Sequence, residues 1–178
     1  MRKLSYEEIF AQRYDLGAIE REGRFPIHVV AENIRSLNNV GSIFRTSDAA
    51  RISGLYLTGF SGQPPRNEIS KTALGAEKTV PWKYYHDTTE IVEKLKCESI
   101  PICIMEHTDE SVTYCSANYP FPVCLVIGNE VEGITEEVVQ LADMAIEIPM
   151  YGVKHSLNVG VAYGTVLFHM LNQFKSRE

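Results

Sequence analysis

A run of five apolar residues, Val123–Ile127, constrains the fold of this chain most strongly. A strand that is apolar without alternation is typical of a parallel sheet covered on both faces. Similar runs at residues 26–31, 55–58, 80–85, 100–105 and 145–148 alternate with helical patterns. The helices are expected at residues 4–22, 38–51, 67–74, 88–96, 135–142 and 156–174. This order predicts an α/β fold with a mostly parallel sheet and helices on both faces.

The predicted boundaries depend on turn and capping residues. Asn38 or Asn39 is expected to cap the helix that begins there, and residues 53–54 to end it. The strand at residues 80–85 is expected at a sheet edge, because Pro81 cannot donate a ladder hydrogen bond. We expect a short N-terminal helical extension over residues 1–24, followed by one domain over residues 25–178.

The composition excludes several classes of protein. No apolar run approaches the roughly 18–20 residues that a membrane span needs, and the N-terminus does not resemble a signal peptide. We therefore expect a cytoplasmic protein. The four cysteines include no Cys-x-x-Cys pair and the five histidines no metal-spaced pair, so we expect no metal site.

Charge is distributed unevenly along the chain. Residues 1–83 carry 12 Lys and Arg against 9 Asp and Glu, whereas residues 84–178 carry 5 against 14. The basic half could hold the phosphates of a nucleic acid. A scatter of solvated side chains explains the same numbers equally well. The residues that could form such a basic face are Arg35, Arg45, Arg51, Arg66, Lys71, Lys78 and Lys83.

Polar and glycine residues follow several predicted strands, at the edge where ligands bind in open α/β sheets. Asn39 and Gly41 open a helix, where free backbone amides suit an anion, and Arg45 follows within about two turns. After the most apolar strand come Gly128, which permits close approach of a ligand, and Glu130. Each segment alone is equally explained as a capped helix or an ordinary loop.

A third polar segment lies near the C-terminus. Ile148 and Met150 end a strand, and Ser156 and Asn158 precede the last helix. Ser and Asn are common helix caps, so capping is the simplest explanation, although two such residues exceed what one cap requires. The chain contains no dinucleotide-binding glycine motif, phosphate-binding loop, nucleophile elbow or zinc-protease motif.

Taken together, the three segments resemble the SpoU (TrmH-like) branch of the SPOUT RNA methyltransferases over roughly residues 27–173. Asn39 with Arg45 and Thr46 is similar to the first motif of that family, and Gly128 with Glu130 to the second. The third motif resembles the segment from Ile148 to Asn158. The resemblance implies a C-terminal deep trefoil knot, S-adenosylmethionine as cofactor, a homodimer, and methyl transfer to a ribose 2′-hydroxyl of tRNA or rRNA.

The resemblance also implies roles for individual residues. Those expected to bind the cofactor are Gly128, Ile148, Met150 and Leu157. Those expected to form the catalytic cluster, completed across the dimer interface, are Asn39, Arg45, Glu130, Ser156 and Asn158. Arg45 would act on the 2′-hydroxyl, and because a guanidinium stays protonated it suits phosphate binding and polarisation better than base catalysis.

Two alternatives remain open from the sequence. A catalytically inactive, knotted RNA-binding homologue would keep the fold, but the joint presence of Arg45, Glu130, Ser156 and Asn158 argues against it. A flavodoxin-like nucleotide binder would need a phosphate loop after the first strand, and residues 32–39 fit such a loop poorly.

Overall fold

A computed structural model of the chain describes residues 1–177, together with every side chain in that range except that of Leu16. Glu178, the last residue of the predicted domain, lies outside the described residues. The strands are β1 (Phe25–Glu32), β2 (Ile52–Thr58), β3 (Trp82–Tyr85), β4 (Ile102–Met105), β5 (Val112–Thr113), β6 (Val123–Ile127) and β7 (Met144–Glu147). The α-helices are α1 (Tyr6–Ala11), α2 (Leu16–Glu22), α3 (Leu37–Ala49), α4 (Asn67–Ala73), α5 (Thr88–Cys97), α6 (Glu136–Val139) and α7 (Val159–Lys175).

The seven strands form one sheet in the order β3-β2-β1-β6-β4-β7-β5, and every pairing is parallel. The apolar run that predicted a buried strand is β6, which lies between β1 and β4 and is buried along its whole length. The expected edge strand is β3, which starts just after Pro81. The predicted parallel α/β sheet is therefore confirmed.

Each face of the sheet is covered by its own apolar cluster. On one face, side chains of β1, β2 and β6 pack with α3, α4 and α7; Phe44 and Tyr163 are among the largest buried side chains there. On the other face, Ile91 and Leu95 of α5 and Val138 of α6 pack against the remaining side chains of β1, β4 and β6. The helices on both faces confirm the predicted layers, because alternate residues of one strand enter opposite cores.

Several predicted boundaries are wrong for local reasons. The single helix expected at residues 4–22 is two helices, since Asp15 accepts a hydrogen bond from the Ala18 amide and starts a second one. Ser36, not Asn38 or Asn39, caps α3. Residues 53 and 54 do not end that helix but lie within β2. The pattern missed the two-residue strand β5 and overestimated α6, which spans four residues.

Within residues 1–177, no helix combines the length and apolar character that a membrane crossing requires.

Candidate active site

All seven strands point the same way, so the loops that follow them meet at one edge of the sheet. A cavity of about 240 Å³ opens there among the ends of β4, β6 and β7 and the start of α7. All four residues expected to bind the cofactor line this cavity: Gly128, Ile148, Met150 and Leu157. The fold thus brings together residues that lie up to 29 positions apart in the sequence.

Glu130 and Asn39 belong to a hydrogen-bonded group beside the cavity. The Asn39 side-chain amide donates to Glu130 Oε1 at 2.7 Å, and Glu130 itself lines the cavity. Asn158 Nδ2 donates to Asn39 Oδ1 at 3.1 Å. Three of the five expected catalytic residues, one from each motif, are therefore linked directly.

Glu130 also holds the start of α3. Its two carboxylate oxygens accept the backbone N–H groups of Arg35 at 2.9 Å and Ser36 at 3.2 Å. Burial opposes ionisation of Glu130, but the hydrogen bonds from Arg35, Asn39 and Ser36 outweigh it and keep its pKa below the ordinary value. The carboxylate thus stays ionised at neutral pH.

The expected anion site at the start of α3 is not formed as predicted. The Asn39 amide donates to the Ser36 hydroxyl, and the amides just before the helix are bonded to Glu130. Gly41 is buried against α4, where an added Cβ would collide with Thr72. Its small size therefore serves helix packing, not the binding of an anion.

Arg45 lies apart from this group. Its side chain is exposed on α3, does not line the cavity, and forms no hydrogen bond or ion pair with any residue that the structure describes. Asn39 and Asn158 also lie outside the cavity lining. Within this single chain, the expected cluster is therefore divided between the hydrogen-bonded group and an exposed arginine.

Ser156 and Asn158 have different local roles. Asn158 caps α7, because its Oδ1 accepts the amides of Gly160 at 3.0 Å and Val161 at 3.4 Å. Ser156 does not act as the cap; it is exposed and lines the cavity beside His155. One cap is sufficient for the helix, which leaves the Ser156 hydroxyl available to a ligand.

The loop after β6 shows a different role for Gly128 from the one expected. A Cβ at Gly128 would collide with the backbone of Gly133, and the backbones of Asn129 and Gly133 exchange hydrogen bonds of 2.9 and 3.1 Å. Gly128 is thus needed to close the loop. Asn129 reinforces the closure, since its Oδ1 accepts the amides of Val131 and Glu132.

The same loop is also held by hydrogen bonds to two carboxylates, which the sequence analysis did not identify. Glu106, at the end of β4, accepts the Ile134 amide at 3.0 Å. Glu32, only 1% exposed, accepts the Thr135 amide at 3.0 Å and its hydroxyl at 2.8 Å. The available signal was a charged residue directly after an apolar run, a position where an unpaired carboxylate would be costly to bury.

A second cavity, of about 440 Å³, adjoins the first. The two share His107, Glu147, Ile148, Met150 and His155. Glu147 accepts a hydrogen bond from Ser111 at 2.8 Å and pairs with the His107 ring at 3.2 Å, and these contacts lower its pKa. The combined site has apolar walls and several carboxylates.

The expected basic face is only partly available. Arg51 forms an ion pair with Glu22 at 2.7 Å and its guanidinium lies over the rings of Tyr14 and Phe25, so it is not available to bind a ligand. The exposed members of the expected set are Arg35, Arg45, Arg66, Lys71, Lys78 and Lys83. No group of three His, Cys, Asp or Glu side chains suited to a metal occurs in the described part of the chain.

The sheet topology, the glycine-closed loop and the linked motif residues define an α/β protein with a ligand site at the carboxyl edge. The model of the SpoU rRNA methylase family matches residues 26–168, and the chain belongs to that family. Among its relatives is the tRNA (guanosine(18)-2′-O)-methyltransferase of Aquifex aeolicus, 34% identical over 82% of this chain and 68% of that protein.

Solved structures agree with this assignment. The A. aeolicus TrmH/SpoU tRNA modifying enzyme superposes with a TM-score of 0.79 at 30% identity, covering 86% of this chain and 78% of that one. An rRNA methyltransferase from Sinorhizobium meliloti, solved with S-adenosylmethionine bound, gives a TM-score of 0.76 at 30% identity, covering 89% and 60%. The predicted membership of the SpoU (TrmH-like) family is therefore confirmed.

Proposed function

We propose that this protein transfers a methyl group from S-adenosylmethionine to a ribose 2′-hydroxyl of tRNA or rRNA. One observation carries the proposal: the four residues expected to bind the cofactor line a single cavity beside the linked Glu130, Asn39 and Asn158. The names of the relatives agree with this activity. The same residues give no support to the inactive homologue, which would have no need to keep this group together.

The chemistry of the cavity suits the cofactor. Ile146, Ile148 and Leu157 offer apolar walls for an adenine ring, and Glu106 and Glu147 provide negative charge near a cationic ligand. The two adjoining cavities offer separate regions for the nucleoside and the amino-acid part of the cofactor. Gly128, Ile148 and Leu157 would hold the cofactor largely through their backbone, with Met150 beside it.

The chain itself would supply alignment and charge. S-adenosylmethionine, when bound, provides an electrophilic methyl group. Glu130 keeps Asn39 and the start of α3 in place, and Asn158 joins that group to α7. Arg45 would hold a phosphate and polarise the 2′-hydroxyl, and Ser156 would orient the ribose. Holding reactants in line can contribute much of the rate enhancement.

We propose a homodimer in which a second copy completes the catalytic cluster. Most apolar residues of α7 are buried within the single chain: Val159, Ala162, Val166, Leu167 and Met170. Val161 and Phe168 remain, 56% and 42% exposed on the outer side of that helix. These two side chains, together with the separation of Arg45 from the cavity, support a two-fold contact involving α7.

The deep trefoil knot is part of the same proposal. Its support lies in how the last helix meets the connection between β5 and β6. Gln173 exchanges hydrogen bonds with Ala117 and Tyr119, and Arg177 donates to Asn118 and to the Tyr119 carbonyl. A C-terminal segment bonded to that connection is compatible with threading through a loop. Knots of this kind are rare exceptions to the usual rules of chain topology.

We also assign residues 25–178 to the methyltransferase domain and residues 1–24 to a helical extension that helps to hold RNA. The two helices found in place of the single predicted one, α1 and α2, both lie before β1. Its surface is rich in exposed aromatic side chains, among them Tyr6 and Tyr14. Cytoplasmic RNA is the substrate that we propose.

Incubation with methyl-labelled S-adenosylmethionine and total tRNA or rRNA tests the function. We expect label in RNA, in a nucleoside that carries the methyl group on its ribose. Cofactor binding, measured by calorimetry, should be unchanged by EDTA because no metal is required. Binding of RNA without methyl transfer under any of these conditions would favour the inactive homologue instead.

A further inference from the structure

Phe60 is an exposed aromatic residue at the carboxyl edge of the sheet, in the turn that follows β2. Its side chain is 60% exposed. A single exposed apolar side chain is common in proteins and needs no explanation by itself. The rigidity, position and charge of its surroundings distinguish Phe60.

The backbone around Phe60 is held rigidly. Its N–H donates to Asn33 Oδ1 at 3.1 Å, and the preceding carbonyl, of Gly59, accepts a hydrogen bond from the Tyr84 hydroxyl at 2.7 Å. The next residue, Ser61, is buried and bonded through its hydroxyl to the Ala31 carbonyl and the Ile34 amide. The aromatic ring therefore projects from a fixed turn, which lowers the entropy cost of contact with a ligand.

The same turn is joined to the proposed active site. Asn33, which holds Phe60, accepts a hydrogen bond at its carbonyl from Asn129 Nδ2 at 2.8 Å. Asn129 belongs to the loop that lines the cavity. Two residues after Asn33, the amide of Arg35 donates to Glu130. Short hydrogen-bonded connections thus link the position of Phe60 to the catalytic group.

Two arginines flank this turn in the sequence, and neither forms an ion pair with a described residue. Arg35 and Arg66, on either side of Phe60 in the sequence, are exposed. The cavity, in contrast, is lined by Glu106, Glu130, Glu132 and Glu147. A polyanion would therefore approach from the Phe60 side, with the carboxylates left to the cofactor.

We propose that Phe60 stacks on an unpaired base of the substrate RNA next to the nucleotide that is methylated, while Arg35 and Arg66 contact neighbouring phosphates. This inference rests on the proposed function and names a substrate-binding residue for it. Aromatic side chains bind single-stranded RNA by stacking on bases, and arginines bind the phosphate backbone. A base splayed out of a loop would also leave its ribose open to reaction.

The test compares the full-length wild type with Phe60→Leu, Phe60→Tyr and Arg35→Ala. KM for total tRNA and total rRNA, kcat, and binding of S-adenosylhomocysteine are measured for each, and RNA affinity is followed against salt concentration. Phe60→Leu should raise the KM for RNA by roughly tenfold, the scale of one lost base stack, and leave cofactor binding intact. Phe60→Tyr should behave like wild type, because it retains a ring that can stack.

The salt dependence separates stacking from charge. Phe60→Leu should weaken binding equally at all salt concentrations, whereas Arg35→Ala should lower the salt slope by about one. Val112→Ala, at an exposed apolar position on the opposite edge strand β5, is the control. It should change neither the RNA affinity nor the salt slope. If Phe60→Leu and the wild type have equal KM values for RNA, this inference is overturned while the proposed function stands. A changed oligomeric state of the Leu variant would have the same consequence. Failure of the wild type to methylate RNA would overturn the proposed function as well.

Discussion

The carboxylate of Glu130 accepts a 2.7 Å hydrogen bond from the side-chain amide of Asn39, although 91 residues separate the two in the chain. The same carboxylate binds the two backbone amides before α3. One residue of the second motif thus fixes the start of the helix that carries the first. This side chain thereby joins the loop after β6 to the start of α3.

Glu130→Gln tests that link through pH. The pKa of Glu130 is lowered in the folded state, so its contribution to stability is present above the unfolded value of 4.5 and is lost as pH falls through the folded pKa. The variant should lose about 1–3 kcal/mol at pH 7, as removal of a charged hydrogen-bond acceptor does. Urea unfolding at pH 7 and pH 3 should show the difference shrinking at low pH. An equal difference at both pH values would contradict the assignment.

Arg45→Ala should leave cofactor affinity nearly unchanged and reduce kcat by roughly two orders of magnitude or more, as loss of a positioned electrostatic group does. Arg45→Lys should also lower kcat substantially, because an ammonium cannot reproduce the planar guanidinium. Single-turnover methylation and calorimetry check the two quantities. Lys94→Ala, at an exposed basic residue on α5, serves as the control. Near-wild-type methylation by Arg45→Ala would remove the support for its catalytic role.

Two substitutions of Asn158 separate its capping role from its contact with Asn39. Asn158→Ala loses both, and should cost about 1 kcal/mol of stability together with most activity. Asn158→Asp keeps an oxygen for the amides of Gly160 and Val161 but cannot donate to Asn39 Oδ1. It should therefore be nearly as stable as wild type and still be impaired in turnover. Full activity of a stable Asp variant would show that the contact with Asn39 is dispensable.

Gly133→Ala should weaken S-adenosylmethionine binding about tenfold by distorting the loop that lines the cavity. Gly133 has φ +74°, and a Cβ there would collide with the Glu106 carboxylate that holds the Ile134 amide. The left-handed conformation alone costs a non-glycine residue roughly 1–2 kcal/mol. Calorimetry measures the affinity. Gly17→Ala, where no atom lies closer than 3.4 Å to the added Cβ, is the control and should bind normally.

The dimer prediction is tested at the exposed side of α7. Sedimentation of the wild type at micromolar concentration should give about twice the chain mass of 20.1 kDa. Introducing charge with Val161→Asp and Phe168→Glu should shift the protein toward the monomer and reduce methylation, since a two-fold contact repeats each unfavourable charge. Val112→Asp, at an exposed valine on the edge strand β5, provides a control outside α7 and outside the cavity lining. A wild type that sediments at 20.1 kDa would refute the dimer.

The sequence by itself determined the parallel α/β fold, the buried central strand β6 and the edge position of β3. These features follow from local patterns: an unbroken apolar run for β6, and a proline that cannot join a ladder for β3. The motifs also identified Gly128, Ile148, Met150 and Leu157, whose joint position at one cavity follows from parallel strands ending at the same edge.

Only the tertiary structure decided which capping and hydrogen-bonding contacts each motif residue makes. Ser36 rather than Asn39 caps α3, and the carboxylate of Glu130 accepts the two backbone amides just before that helix. The buried Glu32 fastens Thr135 across 103 residues of chain. Such contacts depend on which polar groups meet once the strands are in register, and a sequence pattern carries no information about a partner so far away. Local periodicity determines the helices and strands, whereas long-range hydrogen bonds determine which motif residues contact each other.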